Sequence, residues 1–195
     1  MPNLKLIVRA GAGFNTIDTK YARSKNIDVE NTPGANSNAV AEEVIALILS
    51  AYRFVVAGDI STRAGKWEKK KYLGRELTGK TVGIVGFGHI GQLVAKRMSG
   101  FDVKVLAYDP FLSADKIAGL GATSATMEQL FSQSDIVTLH IPENDKTRGS
   151  INASLFNLMK KDAMLINCAR SGILNEEDLR AIKAEKNLIF CNDVY

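Results

Sequence analysis

The sequence predicts an α/β protein whose main body is a doubly wound parallel sheet, preceded by a partial α/β unit. Three observations predict it. Strand-like and helix-like stretches alternate regularly from Gly79 onward, a glycine loop fills the first strand-to-helix junction of that series, and residues 1–34 supply only two strands. Strands alternating with helices at this spacing form a parallel sheet covered on both faces. Two strands alone cannot bury a core. Residues 1–37 are therefore expected to be part of a second domain, and 38–195 the main domain.

The elements follow in order. "LKLIV" (4–8) and "IDVEN" (27–31) read as short strands around an amphipathic "TKYARSKN". A long helix is expected over 38–56, with Val40, Val44, Leu47, Ile48 and Ala51 on one apolar side. A basic arm, "RAGKWEKKKYLGR" (63–75), comes next. The regular series then has strands at 80–86, 103–108, 135–141, 163–168 and 188–192, separated by helices near 90–99, 126–133, 153–160 and 175–185.

Composition narrows the function classes. The 195 residues are 46% apolar and 24% charged, and no apolar run approaches the roughly 18 residues a membrane helix needs. No secretion signal is read at the N-terminus, so a cytoplasmic protein is expected. Cys168 and Cys191 both fall in apolar strands and read as reduced core cysteines. Much of the net charge of +4 sits in the basic arm, where Trp67 and Tyr72 interleave with lysines. A solvated connecting arm accounts for that better than nucleic-acid binding, because the rest of the chain is nearly balanced. No metal site is expected, since His89 and His140 have no cysteine or carboxylate at ligand spacing.

The glycine loop carries the first chemistry. Gly86-x-Gly88-x-x-Gly91 follows a strand, opens a helix, and is followed by a second strand ending in Asp109. That context is a dinucleotide-binding fingerprint. Gly86 permits the tight turn, Gly88 lets a pyrophosphate approach the backbone, and Gly91 lets helix pack on strand. The helix start at His89–Ile90 offers free N–H groups and a positive dipole end to phosphates. Asp109 accepts from ribose hydroxyls and repels a 2′-phosphate, which favours NAD over NADP. His89 reads as a phosphate-side contact or as an exposed loop histidine. His140, at the end of "DIVTLH", reads as lining the cofactor crevice or as a core histidine held by backbone carbonyls. Pro110 beside Asp109, and Ile141, Pro142 and Thr147 beyond His140, complete the expected cofactor wall.

A second feature is "NCARSG" (167–172), where an apolar run ends in an arginine between small residues. A guanidinium has five donors to satisfy and keeps its charge. Arg170 therefore needs partners, and a structural ion pair with the acidic "NEED" at 175–178 is one way to supply them.

With these pieces in place, four stretches carry a family resemblance: "RAGAGFNTID" (9–18), "NTPGANSNAVAEEVIALIL" (31–49), "GKWEKKKYLGRELTGKTVGIVGFGHIG" (65–91) and "LINCARSGILNEEDL" (165–179). The chain resembles the D-isomer-specific 2-hydroxyacid dehydrogenases over essentially its whole length. The resemblance implies a flavodoxin-like substrate domain split around an inserted Rossmann-type NAD domain. It implies that backbone N–H groups of Gly11, Ala12 and Gly13 hold the substrate carboxylate. Ala12 and the Val40–Glu42 region then lie near the nicotinamide, Cys168 and Ala169 border it, and Asp193 bonds its carboxamide. Arg170 takes the place of the catalytic arginine, gripping the carboxylate and carbonyl of the 2-oxo or 2-hydroxy acid.

The same resemblance calls for a general acid/base histidine backed by a glutamate, both beyond the "DVY" strand end. The sequence holds neither there, so the chain is expected to be a central segment that binds NAD without useful turnover. Asn15, Ser171 and Asn192 depart from the family pattern, at positions usually held by aspartate, glycine and an apolar residue. The substrate implied is a small D-2-hydroxy acid, 3-phosphoglycerate first, which would place the parent enzyme in serine synthesis. Glycerate, lactate and formate types remain alternatives, as does an NAD-sensing corepressor-like binding module. A homodimer through helix 38–56 and the 58–75 arm is also implied.

Overall fold

The computed structural model describes residues 3–193. Two parallel sheets organise it. The smaller pairs β1 (Leu6–Arg9) with β2 (Asp28–Asn31), joined by α1 (Thr19–Ser24). Leu6 and Val8 remain exposed, as expected of a two-stranded sheet with little to cover it.

The larger sheet contains β3 (Thr81–Val85), β4 (Lys104–Tyr108), β5 (Thr123–Ser124), β6 (Ile136–Leu139), β7 (Met164–Asn167) and β8 (Ile189–Asn192). Their order across the sheet is β5-β4-β3-β6-β7-β8, and every pairing is parallel. The chain runs outward from β3 in one direction, then returns and runs outward in the other. The order therefore reverses between β3 and β6, the point where doubly wound sheets open a ligand crevice.

One face of this sheet is covered by α2 (Ser37–Arg53), α4 (His89–Met98) and α5 (Ala114–Gly119). The other is covered by α6 (Met127–Gln133), α7 (Ala153–Phe156) and α8 (Glu176–Glu185). The central strands β3, β6 and β7 are almost wholly buried, so they read as continuous apolar runs and not as alternating ones. Crowding at the sheet face fixes Gly83, where a Cβ would strike Ser134 and Leu130.

Three expectations are corrected. The helix expected over 38–56 stops at Arg53, because Phe54 adopts a left-handed conformation (φ 53°) and the chain bends by 57° into α3 (Val55–Arg63). The returning arm supplies the reason. The Arg75 N–H donates to the Tyr52 carbonyl at 2.9 Å, capturing an acceptor in the last turn of α2. The arm placed at 58–75 accordingly begins as helix, and only the stretch after Arg63 is irregular. The helix near 153–160 ends at Phe156, where the Lys186 ammonium donates to the Asn157 and Met159 carbonyls. Finally, α5 and β5 were not anticipated; their signal was the Ser113 cap, whose hydroxyl accepts from the Lys116 N–H. No single helix is long and apolar enough to cross a membrane; the bent pair α2 and α3 together reaches that length and composition.

Candidate active site

The strand register explains why the residues singled out in the sequence meet. Val85, Tyr108, Leu139, Asn167 and Asn192, on β3, β4, β6, β7 and β8 respectively, lie at one level of the sheet. The next residue on each strand is Gly86, Asp109, His140, Cys168 or Asp193. Five expected site residues therefore form one row along the carboxyl edge of the sheet.

Gly86 starts the turn with φ +89°, and a Cβ there would meet the His140 carbonyl at 2.7 Å. At Gly91 a Cβ would collide with the Gly86 carbonyl. Both glycines are dictated by the protein's own backbone. Gly88 is different: its φ is −74° and a Cβ would meet nothing within 4 Å. The space beside Gly88 is open where the first turn of α4 begins without a side-chain cap. Uncapped N–H groups at a helix start, facing open space, fit a pyrophosphate.

Asp109 ties this loop to the next. One carboxylate oxygen accepts from the Phe87 N–H at 2.8 Å, the other from the Phe111 N–H at 2.9 Å. Each oxygen keeps a lone pair for a ribose hydroxyl. The next residues, Pro110 and Phe111, start the loop after β4, and Phe111 is 92% exposed.

The two histidines take different places. The His89 ring rests near Gly34, whose Cβ would lie 3.5 Å from Nδ1, so only the backbone of His89 and Ile90 opens the helix toward the phosphate side. The His140 Nε2 lies 3.0 Å from the Thr138 hydroxyl, while its Nδ1 is fully covered and has no partner among the described residues. Burial pulls its imidazolium down from 6.5 to about 4, so the ring is neutral. Beyond it, the Thr147 hydroxyl donates to the Pro142 carbonyl at 2.6 Å and accepts from the Asn144 N–H at 2.9 Å. Ile141 packs over Gly86.

At the end of β7, Asn167 holds a turn that the sequence did not flag. Its side chain accepts from the Ala169 N–H at 3.0 Å and donates to the Arg170 carbonyl at 2.9 Å, and it is 1% exposed. Cys168 faces Asp193. Burial first, then the charge and hydrogen bond of Asp193, push its thiol up to about 12. Arg170 extends from this turn toward the loop that follows β1. Its Nη1 donates to the Ala169 carbonyl, its Nε donates to Asn15 Oδ1 at 3.2 Å, and a Cβ on Gly13 would strike Nη2. Among the described residues Arg170 forms no ion pair, and in the "NEED" cluster Glu176 bonds Arg180 instead.

Across from it, the Gly11 N–H closes a turn onto the Arg9 carbonyl at 2.9 Å. Of the three amides expected to hold a carboxylate, those of Ala12 and Gly13 have no backbone partner among the described residues. Asn31 braces the turn by donating to the Ala12 carbonyl at 2.8 Å. Val40 lies in the second turn of α2, packed against the core. The arrangement is thus an open helix start at Gly88, a carboxylate clamp at Asp109 and a guanidinium without an ion pair among the described residues, spaced along one edge.

Comparison with known proteins decides the lineage. Residues 45–195 match the family described as D-isomer specific 2-hydroxyacid dehydrogenase, NAD binding domain. The chain belongs to this family. NAD is therefore the cofactor of the domain, and the fold is of the Rossmann type. The chain is 43% identical to a D-3-phosphoglycerate dehydrogenase of Archaeoglobus fulgidus over 99% of its own length and 37% of the relative's. It is 44% identical to a hydroxypyruvate reductase of Thermotoga maritima, over 91% of this chain and 57% of that one. Among solved structures, D-lactate dehydrogenase from Aquifex aeolicus complexed with NAD and lactic acid superposes with a TM-score of 0.87 at 31% identity, covering all of this chain and 59% of that one. The chain thus spans between about a third and three fifths of these relatives. Among the described residues, no group of three or more histidine, cysteine or carboxylate side chains comes together to hold a metal.

Proposed function

We propose that this chain is the cofactor-binding core of an NAD-dependent oxidoreductase acting on the CH–OH group of a D-2-hydroxy acid, with 3-phosphoglycerate as the first substrate to test. The single observation that carries the reading is the Arg170 guanidinium, without an ion pair among the described residues and projecting from the same sheet edge as the Gly86–Gly91 loop and Asp109. A guanidinium suits a carboxylate beside a carbonyl, because its planar fork bonds two oxygens at once. When bound, NAD supplies the hydride acceptor for the alcohol carbon.

The chain's own residues divide the remaining work. Gly88, His89 and Ile90 present backbone N–H groups to the pyrophosphate, and Asp109 takes the ribose hydroxyls. Pro110, Ile141, Pro142 and Thr147 wall the adenosine side. His140, Val40, Cys168, Ala169 and Asp193 border the nicotinamide. The amides of Ala12 and Gly13, with Gly11 shaping their turn, join Arg170 in holding the substrate carboxylate. His140 is neutral near pH 7 with one nitrogen already engaged, and the His89 ring rests near Gly34. Neither is placed to take the alcohol proton, so this chain binds NAD without turnover at ordinary rates.

The domain division is 1–37 for the substrate-domain part and 38–195 for the cofactor domain. The exposed Phe54, Val55, Val56, Ile60, Trp67 and Leu73 along α3 and the arm support a homodimer through α2, α3 and the arm. The family of metabolic enzymes and the free cysteines support a cytoplasmic location.

Calorimetry with NADH and NADPH, followed by turnover assays with 3-phosphoglycerate, glycerate and lactate, tests the reading. NADH binding in preference to NADPH, with turnover at most marginal, is the expected result. Failure to bind NADH, or turnover at ordinary enzyme rates, rejects it.

A further inference from the structure

We propose that Asn15 is a positioning residue: it holds the Arg170 guanidinium in place before any substrate arrives and does so without neutralising it. The inference rests on the reading of Arg170 as the carboxylate-binding arginine. Three contacts fix the guanidinium. Its Nε donates to Asn15 Oδ1 at 3.2 Å, its Nη1 donates to the neighbouring Ala169 carbonyl, and Nη2 lies over the bare Cα of Gly13. Asn167 fixes the base of the side chain from below, through the Arg170 carbonyl at 2.9 Å.

The chemistry of the anchor matters. A long arginine side chain loses rotamer freedom when it is fixed, and anchoring takes that loss in advance. A carboxylate partner would fix the side chain equally well but would also supply a counter-charge. Asn15 offers a neutral amide oxygen, and no carboxylate pairs with Arg170 among the described residues. The remaining N–H groups and the full charge are left for an anion. The bond also ties the 1–37 segment to the main sheet, joining residues 155 positions apart.

The 195-residue chain and its Asn15→Ala, Asn15→Asp and Arg170→Lys variants provide the test. Proton–nitrogen NMR of the arginine Nε–H groups, with the Arg170 signal assigned by its disappearance in Arg170→Lys, reports the anchor without cofactor or substrate. The expected result is a slowly exchanging Arg170 Nε–H in the wild type, lost in Asn15→Ala and restored in Asn15→Asp, which keeps an acceptor. Thermal melts guard against unfolding, and Asn15 is a surface residue.

In parallel, oxamate, a 2-oxo carboxylate mimic, is titrated into the NADH complex. Asn15→Ala is expected to bind it about tenfold more weakly, with NADH affinity unchanged within about twofold. An Arg170 Nε–H that exchanges as fast in wild type as in Asn15→Ala overturns the positioning role. So does equal oxamate affinity in those two proteins. A protected Nε–H with no oxamate binding in any protein upholds the anchor and rejects the carboxylate reading instead.

Discussion

The Asp109 carboxylate accepts the Phe87 backbone N–H at 2.8 Å, joining the glycine loop to the end of the next strand. A second bond from the Phe111 N–H at 2.9 Å completes the clamp. The residue proposed to hold the ribose hydroxyls is thus also a brace for the glycine loop. Asp109→Ala is expected to weaken NADH binding by about tenfold to a hundredfold, to narrow the preference over NADPH, and to cost about 1–2 kcal/mol of stability. Calorimetry and urea melts measure these together. Unchanged NADH selectivity would reject the ribose role.

Gly86 and Gly88 should respond in opposite ways to the same change. Gly86→Ala forces a side chain onto a positive φ and against the His140 carbonyl, and is expected to destabilise by about 2–4 kcal/mol. Gly88→Ala meets open space, and is expected to cost at most about 1 kcal/mol at the helix cap. Its NADH affinity should nevertheless fall at least about tenfold, because the methyl group enters the phosphate space. A Gly88→Ala variant that binds NADH normally would show that the open space is not the phosphate site.

His140 predicts an acid limb in the stability curve. Its folded-state value near 4 lies below the unfolded 6.5, so the native state prefers the neutral ring. The stabilisation is complete above pH 6.5 and is lost as pH falls from there toward 4. The full difference is about 3 kcal/mol. Histidine NMR titration should find one ring still neutral at pH 5.5, and His140→Gln should flatten that part of the urea-melt pH profile. A ring titrating near 6.5 contradicts this.

Cys168 should be inert in the folded chain. A thiol held near 12 leaves roughly one part in ten thousand as thiolate at pH 8, and the thiolate is the reactive form. Iodoacetamide at pH 8, followed by mass spectrometry, is expected to label Cys168 only as fast as the protein unfolds. Rapid labelling under native conditions would mean that the thiol is not buried as described.

Much of this was legible in the chain itself because of strand periodicity. Gly86, Asp109, His140, Cys168 and Asp193 each end or follow an apolar run. In a parallel sheet the ends of such runs share one edge. Asn167 and Asn31 escaped notice because their roles are hydrogen bonds to backbone carbonyls, which leave no pattern in a sequence. Asn15 was visible only as a departure from the family pattern; its bond to Arg170 spans the chain. The break at Phe54 was hidden for a related reason, since the competing partner for the Tyr52 carbonyl, the Arg75 N–H, arrives from the returning arm.

The sequence by itself determined the parallel sheet, the glycine cradle, the choice of acid at Asp109 and the presence of an arginine with no obvious partner. These depend on local periodicity, on conformations only glycine allows, and on a charge that cannot be shed. Only the tertiary structure decided which oxygen holds that arginine, which amides of the Gly11–Gly13 turn lack a backbone partner among the described residues, and which loop glycine faces open space instead of the backbone. Those outcomes depend on contacts between distant segments, and such contacts exist only once the strands are in register.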